Sequence, residues 1–159
     1  MKKFKTLFQL TRPANLITAV ADILAGIALS GFLINGYLTY FDLQPVILLC
    51  ISTIGLYGGG VVMNDVFDAE LDKAERPERP IPSGRATKAE AVSLAIILFI
   101  AGVICAAALG TVSALFAGSI VIFALLYDKF AKPHFFWSPL LMGICRGLKL
   151  LLGMSIIGH

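Results

Sequence analysis

Five long apolar runs alternate with shorter polar stretches along the chain. They cover about Ala14–Ile34, Pro45–Met63, Ala89–Leu109, Val112–Tyr127 and Pro139 to the C-terminus. Polar residues gather between them, at about 35–44, 64–88, 110–111 and 128–138. Each run approaches the roughly 20 residues that an α-helix needs to cross the hydrocarbon core of a bilayer. The bilayer offers no water to satisfy a loop's backbone, so runs of this kind are expected to be helices. The pattern predicts an all-α, multi-pass transmembrane bundle of about five helices, with residues 1–159 forming one unit.

Composition agrees. Hydrophobic residues make up 58% of the chain and charged residues 14%, against about 45–50% and about 25% in a soluble domain. With a mean hydropathy of +0.87, this excludes a disordered chain, a secreted disulfide scaffold and an ordinary cytosolic domain. The net charge of +3 reads as a topology signal and not as nucleic-acid binding. Lys2, Lys3, Lys5 and Arg12 precede the first run. Lys73, Arg76, Arg79, Arg85 and Lys88 lie in the second loop, and Lys129 and Lys132 in the fourth. The first and third loops carry no lysine or arginine. The positive-inside rule then places the N-terminus and the second and fourth loops in the cytoplasm. No removable signal peptide is expected, because the basic start lacks a small-residue cleavage site before the first apolar run. Tyr127, Phe135, Phe136 and Trp137 fit an interfacial belt. Cys50, Cys105 and Cys145 sit inside apolar runs, match no disulfide or zinc spacing, and read as small buried hydrophobes. The fifth run reaches His159 without a polar stop, as in a chain that breaks off where a helix leaves the membrane.

The chemistry concentrates in the second loop. Asn64, Asp68 and Asp72 are spaced by four, and each such step on a helix drifts by only about 40°. The three side chains therefore share one face over two turns, with Asp65 at its edge. Carboxylates on one face repel one another, but together they make an oxygen-rich site suited to Mg²⁺. A solvated acidic helix end, favoured by the N-terminal dipole, is the plainer reading; it does not require that spacing. Gly58, Gly59 and Gly60 just before allow close approach of backbone or ligand. The following stretch, Glu75-Arg76-Pro77-Glu78-Arg79-Pro80-Ile81-Pro82-Ser83-Gly84-Arg85, is a stiff non-helical loop rich in arginine, whose planar fork reads phosphate. An acidic metal cluster beside an arginine loop suits a diphosphate.

The N-D-x-x-D-x-x-x-D run followed by R-P-x-R-P-I-P-S-G resembles the first aspartate-rich motif of the UbiA-type intramembrane prenyltransferases. Arg12-Pro13-Ala14-Asn15, Tyr127 with a following lysine, and Arg146-Gly147-Leu148 fit the same family. The resemblance spans about Arg12 to Ser155. It implies an all-α bundle, typically of nine transmembrane helices around a central cavity, that binds a prenyl diphosphate through Mg²⁺ held by two aspartate-rich motifs. Loss of the diphosphate leaves an allylic cation that an acceptor attacks; acceptors in the family include aromatic acids, quinone precursors, tetrapyrroles and glycerol phosphates. Carried over, Asn64, Asp68 and Asp72 would hold Mg²⁺ with help from Asp65. Arg79, Tyr127, Arg146 and, more weakly, Arg12 would contact substrate. Lys132, with Lys129 as second choice, would be the catalytic lysine after Tyr127.

This chain departs from the family pattern in one large respect. Beyond Asp72 its only acids are Glu75, Glu78, Glu90 and Asp128, so no second aspartate cluster follows, and the chain corresponds to the first half of the family fold. Lys149 also stands where a neutral polar residue is expected. Two readings follow. One is an integral membrane, Mg²⁺-dependent prenyltransferase, taking a prenyl diphosphate and a small-molecule acceptor from the lipid phase. The other is a non-catalytic membrane protein that binds prenyl diphosphate, or a half-unit needing a second half or another copy. A CDP-alcohol phosphotransferase does not fit, because its D-G-x-x-A-R element is missing. Asp22 and Arg146 lie at matching depths of about 12 and 10 Å from the cytoplasmic side. Intramembrane charges of this kind are costly and often functional, so the two are expected to meet in the bundle interior or to line its cavity together.

Overall fold

The computed structural model describes residues 2–32, 40–131 and 136–158, and every regular element among them is helical. In chain order these are α1 (Lys2–Leu10), α2 (Pro13–Leu29), α3 (Tyr40–Phe67), α4 (Ala69–Glu75), α5 (Lys88–Ala107), α6 (Thr111–Leu126) and α7 (Trp137–Met154). A π-helical turn, Tyr127–Ala131, follows α6, and a 3-10 turn, Ser155–Gly158, follows α7. Four segments are long and apolar enough to cross a membrane: Leu43–Phe67, Lys88–Ala107, Thr111–Phe130 and Trp137–Ile157. The α1–α2 pair, bent by 44°, meets the same criterion as one broken span and brings the number to five. The expected five-helix membrane bundle is therefore the observed architecture.

Three details differ from expectation. The basic N-terminal stretch, which precedes the five predicted runs, is itself a helix that turns Leu7 and Leu10 inward while Phe4 and Phe8 are exposed. Its Lys3 pairs with Glu90 at 2.5 Å, tying α1 to the start of α5. The bend after α1 has a local cause. Proline disfavours the α conformation in the residue before it, and Arg12 stands at φ 46°, ψ 66° in the left-handed region. Pro13 then opens α2, where its missing N–H costs nothing. The second difference is α3, which runs on past Met63 through Asn64 and Asp65 to Phe67. Third, the polar stretch expected from 128 begins with a helical turn instead of a loop. The expected end of the first span at Ile34 lies outside the described residues.

The helices close into a ring: α3 packs on α5, α5 on α6, α6 on α7, α7 on α2, and α2 on α3. In lipid no hydrophobic driving force brings helices together, so close packing by small residues carries the contacts. Gly26 of α2 and Gly153 of α7 meet directly; a Cβ on Gly153 would lie 3.0 Å from the Gly26 Cα and 2.5 Å from the Ile23 carbonyl oxygen. Gly55 and Gly102 bring α3 onto α5 in the same way, where the buried Ser52 hydroxyl donates to the Gly102 carbonyl at 2.8 Å. Ile23, Ile27, Leu49, Leu56 and Leu152 are fully buried in the core. Ile97, Ile104, Leu115 and Ile122 point outward, as suits a lipid-facing surface.

Gly153→Ala is therefore expected to force α2 and α7 apart and to cost about 1–3 kcal/mol, the usual range for overpacking. Gly143→Ala, where a Cβ meets nothing within 4 Å, is expected to be neutral. Thermal unfolding in detergent, followed by circular dichroism, compares the two.

Candidate functional site

The acidic stripe survives a break in the helix. Asp68 falls between α3 and α4, yet its amide donates to the Asn64 carbonyl at 2.9 Å, and the Asp72 amide donates to the Asp68 carbonyl at 2.8 Å. The backbone thus keeps its four-residue step, and Asn64, Asp68 and Asp72 line one wall of a single cavity of about 730 Å³. Residues from α2, α3, α4, α6 and α7 surround it. Leu56, Ile120 and Ala124 supply apolar wall, while Arg76, Arg79, Tyr127 and Arg146 supply polar and cationic groups. Gly60 faces the cavity, whereas Gly59 accommodates the Phe99 ring of α5.

Asp65 follows a different path. It sits one residue round the helix from Asn64, does not line this cavity, and borders a smaller hollow with Gln9, Arg12 and Glu78. Its buried carboxylate accepts hydrogen bonds from Arg12 and from Arg79 Nη1 at 3.4 Å. The same Arg79 nitrogen donates to Asp72 Oδ2 at 2.6 Å. Arg12 at the α1–α2 bend, Asp65 in α3, Arg79 in the proline-rich loop and Asp72 in α4 thus form a continuous charged chain. It ties four segments together and sets Arg79 and Asp72 side by side in the cavity wall. The left-handed backbone at Arg12 is a strained conformation costing on the order of 1–3 kcal/mol, in the residue that donates to Asp65.

Glu70 lies on the outer side of α4. It accepts from Lys73 at 2.8 Å and from Lys88 at 2.6 Å, which links α4 to the first residue of α5. These two hydrogen bonds hold its carboxyl at about 2, well below its ordinary 4.5. The α5 start is itself fixed by a capping box: the Glu90 amide donates to the Thr87 hydroxyl, and the Thr87 amide donates to the Glu90 carboxylate.

Other expected residues are distributed as follows. Tyr127 and Arg146 line the cavity. Lys132 lies outside the described residues. Lys129 stands over the Phe130 ring at 5.0 Å and is not in the cavity wall. Asp22 does reach the cavity, as does Arg146, but its ion-pair partner is Lys149, whose Nζ donates at 3.3 Å. Of the two expected arrangements, Asp22 and Arg146 line the cavity together and do not pair, because Lys149 and Gly153 share the face of α7 that meets Asp22 and Gly26. Asp128 was not among the expected site residues. It lines the cavity and accepts from Asn64 Nδ2 at 2.9 Å. A carboxylate directly after Tyr127 was the available signal.

The donor set bears on a metal ion. Among the described residues no three of His, Cys, Asp and Glu converge closely enough to hold an ion by themselves. Mg²⁺ does not need such a cage; it keeps waters and takes one or two carboxylates together with substrate phosphate oxygens. An amide and two carboxylates along one wall, beside arginines, fit an ion that arrives with a diphosphate.

Two outcomes are expected from these ties. Asp65→Asn should free the loop from Arg76 to Thr87. Trypsin cannot use Arg76 or Arg79, each followed by proline, so cleavage after Arg85 is the readout. It should accelerate roughly tenfold or more, the equivalent of about 1.4 kcal/mol of lost local closure. Glu70 has a depressed folded-state value, so its ties are complete above about pH 4.5 and are lost as pH falls towards 2. A carboxyl NMR titration in micelles should find its midpoint near 2 in the native chain and near 4.5 in the Lys73→Met/Lys88→Met variant.

With this geometry in place, comparison with known proteins is direct. Residues 20–159 match the UbiA prenyltransferase family. Digeranylgeranylglyceryl phosphate synthase from Saccharolobus solfataricus is 33% identical over 149 residues, which is 94% of this chain and 51% of that protein. The synthase of the same name from Methanothrix thermoacetophila is 40% identical over 97 residues, or 61% of this chain and 34% of that one. A solved structure concerning digeranylgeranylglyceryl phosphate synthase in membranes superposes with a TM-score of 0.87 at 29% identity, over 96% of this chain and 53% of that chain. The chain thus spans about half the length of the relatives it matches. On this evidence it belongs to the UbiA prenyltransferase family.

Proposed function

We propose that this chain binds a prenyl diphosphate together with Mg²⁺ at the cytoplasmic mouth of its cavity, for transfer of the prenyl group to an acceptor within the membrane. The observation that carries this reading is the alignment of Asn64, Asp68 and Asp72 on one cavity wall beside Arg76 and Arg79. The names of the relatives support a glyceryl phosphate lipid as acceptor, ahead of the aromatic and quinone-precursor acceptors found elsewhere in the family. The lysines and arginines of the N-terminus and second loop support the cytoplasmic orientation of the mouth.

Asn64, Asp68 and Asp72 are the residues that would hold the ion. When bound, Mg²⁺ supplies stabilisation of the charge that develops on the diphosphate oxygens. Arg79 already stands 2.6 Å from Asp72, so its guanidinium is beside the diphosphate position without a large movement, and its fork suits two phosphate oxygens. In the transfer, the bond between the prenyl carbon and the diphosphate oxygen breaks with its electron pair left on the diphosphate. A hydroxyl oxygen of the acceptor forms the new bond to that carbon, and its proton passes to the departing diphosphate, the base that the reaction itself supplies. Leu56, Ile120 and Ala124 line the apolar wall that would keep water from capturing the reacting carbon.

The test is calorimetric binding of a non-cleavable geranylgeranyl diphosphate analogue to the protein in detergent, with and without Mg²⁺. Binding is expected to require Mg²⁺ and to disappear in Asp68→Ala/Asp72→Ala. A folded, helical sample that shows no Mg²⁺-dependent binding would refute the reading.

A further inference from the structure

The cavity has a second charged pole, on α7. Lys149 is buried at 8% exposure in a segment apolar enough to cross the membrane. A lysine at such depth is costly and is a functional candidate by default. Its ammonium is fixed on the cavity side: Nζ donates to Asp22 Oδ2 at 3.3 Å and lies 5.0 Å from the centre of the Tyr57 ring. Asp22 engages only part of its donating capacity, since an ammonium has three N–H groups. Arg146 stands three residues earlier on α7, exposed on the same cavity wall, and no ion pair engages it among the described residues. Lys149 thus takes up the Asp22 carboxylate, and Arg146 remains as a cation of α7 that no ion pair engages among the described residues.

This pole is separate from the aspartate wall. Tyr57, which marks the level of Lys149, precedes Asn64 on α3 by seven residues, or about 10 Å along the helix. Asp68 lies a further turn away. Lys149, beside Tyr57, therefore stands about two helical turns deeper than Asn64. The two poles also differ in kind. Carboxylates need a dication between themselves and a phosphate, whereas lysine and arginine bind a phosphate directly through charge-assisted hydrogen bonds.

We propose that Lys149 and Arg146 form a second anion subsite, deeper in the cavity than the aspartate wall, that takes the phosphate monoester head of an amphiphilic acceptor without Mg²⁺. Asp22 and Tyr57 are positioning residues that keep the Lys149 ammonium turned to the cavity. With its phosphate on α7, the one free hydroxyl of a lipid-bearing glyceryl unit falls between the two poles, towards the prenyl carbon of the donor. The assignment rests on the proposed prenyl transfer for its choice of acceptor, but its binding chemistry is independent of the metal.

The experiment is equilibrium binding of geranylgeranylglyceryl phosphate to the full chain in detergent with EDTA present, beside the same lipid with a neutral glycerol head and beside inorganic phosphate as competitor. The phosphate lipid is expected to bind without Mg²⁺ and to bind equally to Asp68→Ala/Asp72→Ala. Lys149→Gln and Arg146→Gln should each weaken it roughly tenfold or more, while binding of the neutral lipid stays unchanged and reports an intact cavity. Competition by inorganic phosphate that is lost in Lys149→Gln would support a site for the phosphate itself. Equal binding of the phosphate lipid to wild type and to either α7 variant would overturn the assignment. So would binding that needs Mg²⁺ and fails in Asp68→Ala/Asp72→Ala, because the monoester would then sit on the aspartate wall. Should the diphosphate analogue fail to bind while the phosphate lipid still depends on Lys149, the prenyl-transfer reading falls alone.

Discussion

Asp65 is held between two arginines drawn from different parts of the chain, and the polar end of the bundle is organised around it. Arg12 comes from the bend that joins α1 to α2, and Arg79 from the loop after α4. A buried carboxylate with two cationic donors is costly to break, because removing one partner strands charge in a poor dielectric. The shared pair therefore fixes where the first helix enters the bundle and where the arginine loop lies. It also fixes Arg79 against Asp72. Without that chain of contacts the aspartate wall would still exist, but its cationic counterpart would not stand beside it.

Below this level the bundle depends on a different force. Between α2 and α7, and between α3 and α5, backbones meet at glycines with almost no side chain between them. Dispersion contacts and a few buried hydroxyl bonds hold such interfaces in lipid. The ring thus has a polar, ion-paired end and a dry, closely packed interior. The cavity passes from one regime to the other, with carboxylates and arginines at its mouth and Tyr57, Asp22 and Lys149 further in.

Much of this was legible in the sequence. The apolar runs located the helices because nothing but a helix satisfies a backbone in lipid. Asn64, Asp68 and Asp72 were legible as one face because a four-residue step is a property of a single helix, and the step persists across the break at Asp68. Asp65 was harder. Its position round the helix was clear, but not which neighbours occupied that side, and these turned out to be Arg12 and Arg79. The partner of Asp22 was ambiguous for a similar reason. Arg146 and Lys149 differ in depth by less than one turn, and only the contact of Gly26 with Gly153 decides which faces α2. Asp128 stands 64 residues from Asn64, and no local pattern announces a pairing made by α6 folding back along α3. The α1 helix was hidden because its four apolar residues are interrupted by three lysines and fall short of a spanning run.

The glycine contact between α2 and α7 has a consequence for how this protein can change over evolutionary time. Gly153 is pinned against Gly26, and both cations of the inner pole lie within two turns before it. Inserting or deleting a single residue between Lys149 and Gly153 would rotate them by about 100° relative to that anchor, turning an ammonium from the cavity into lipid. Substitutions can alter this wall one side chain at a time, but length changes in the second half of α7 are closed to it. Variation in chain length is left to the segments between helices, where no helical phase has to be kept.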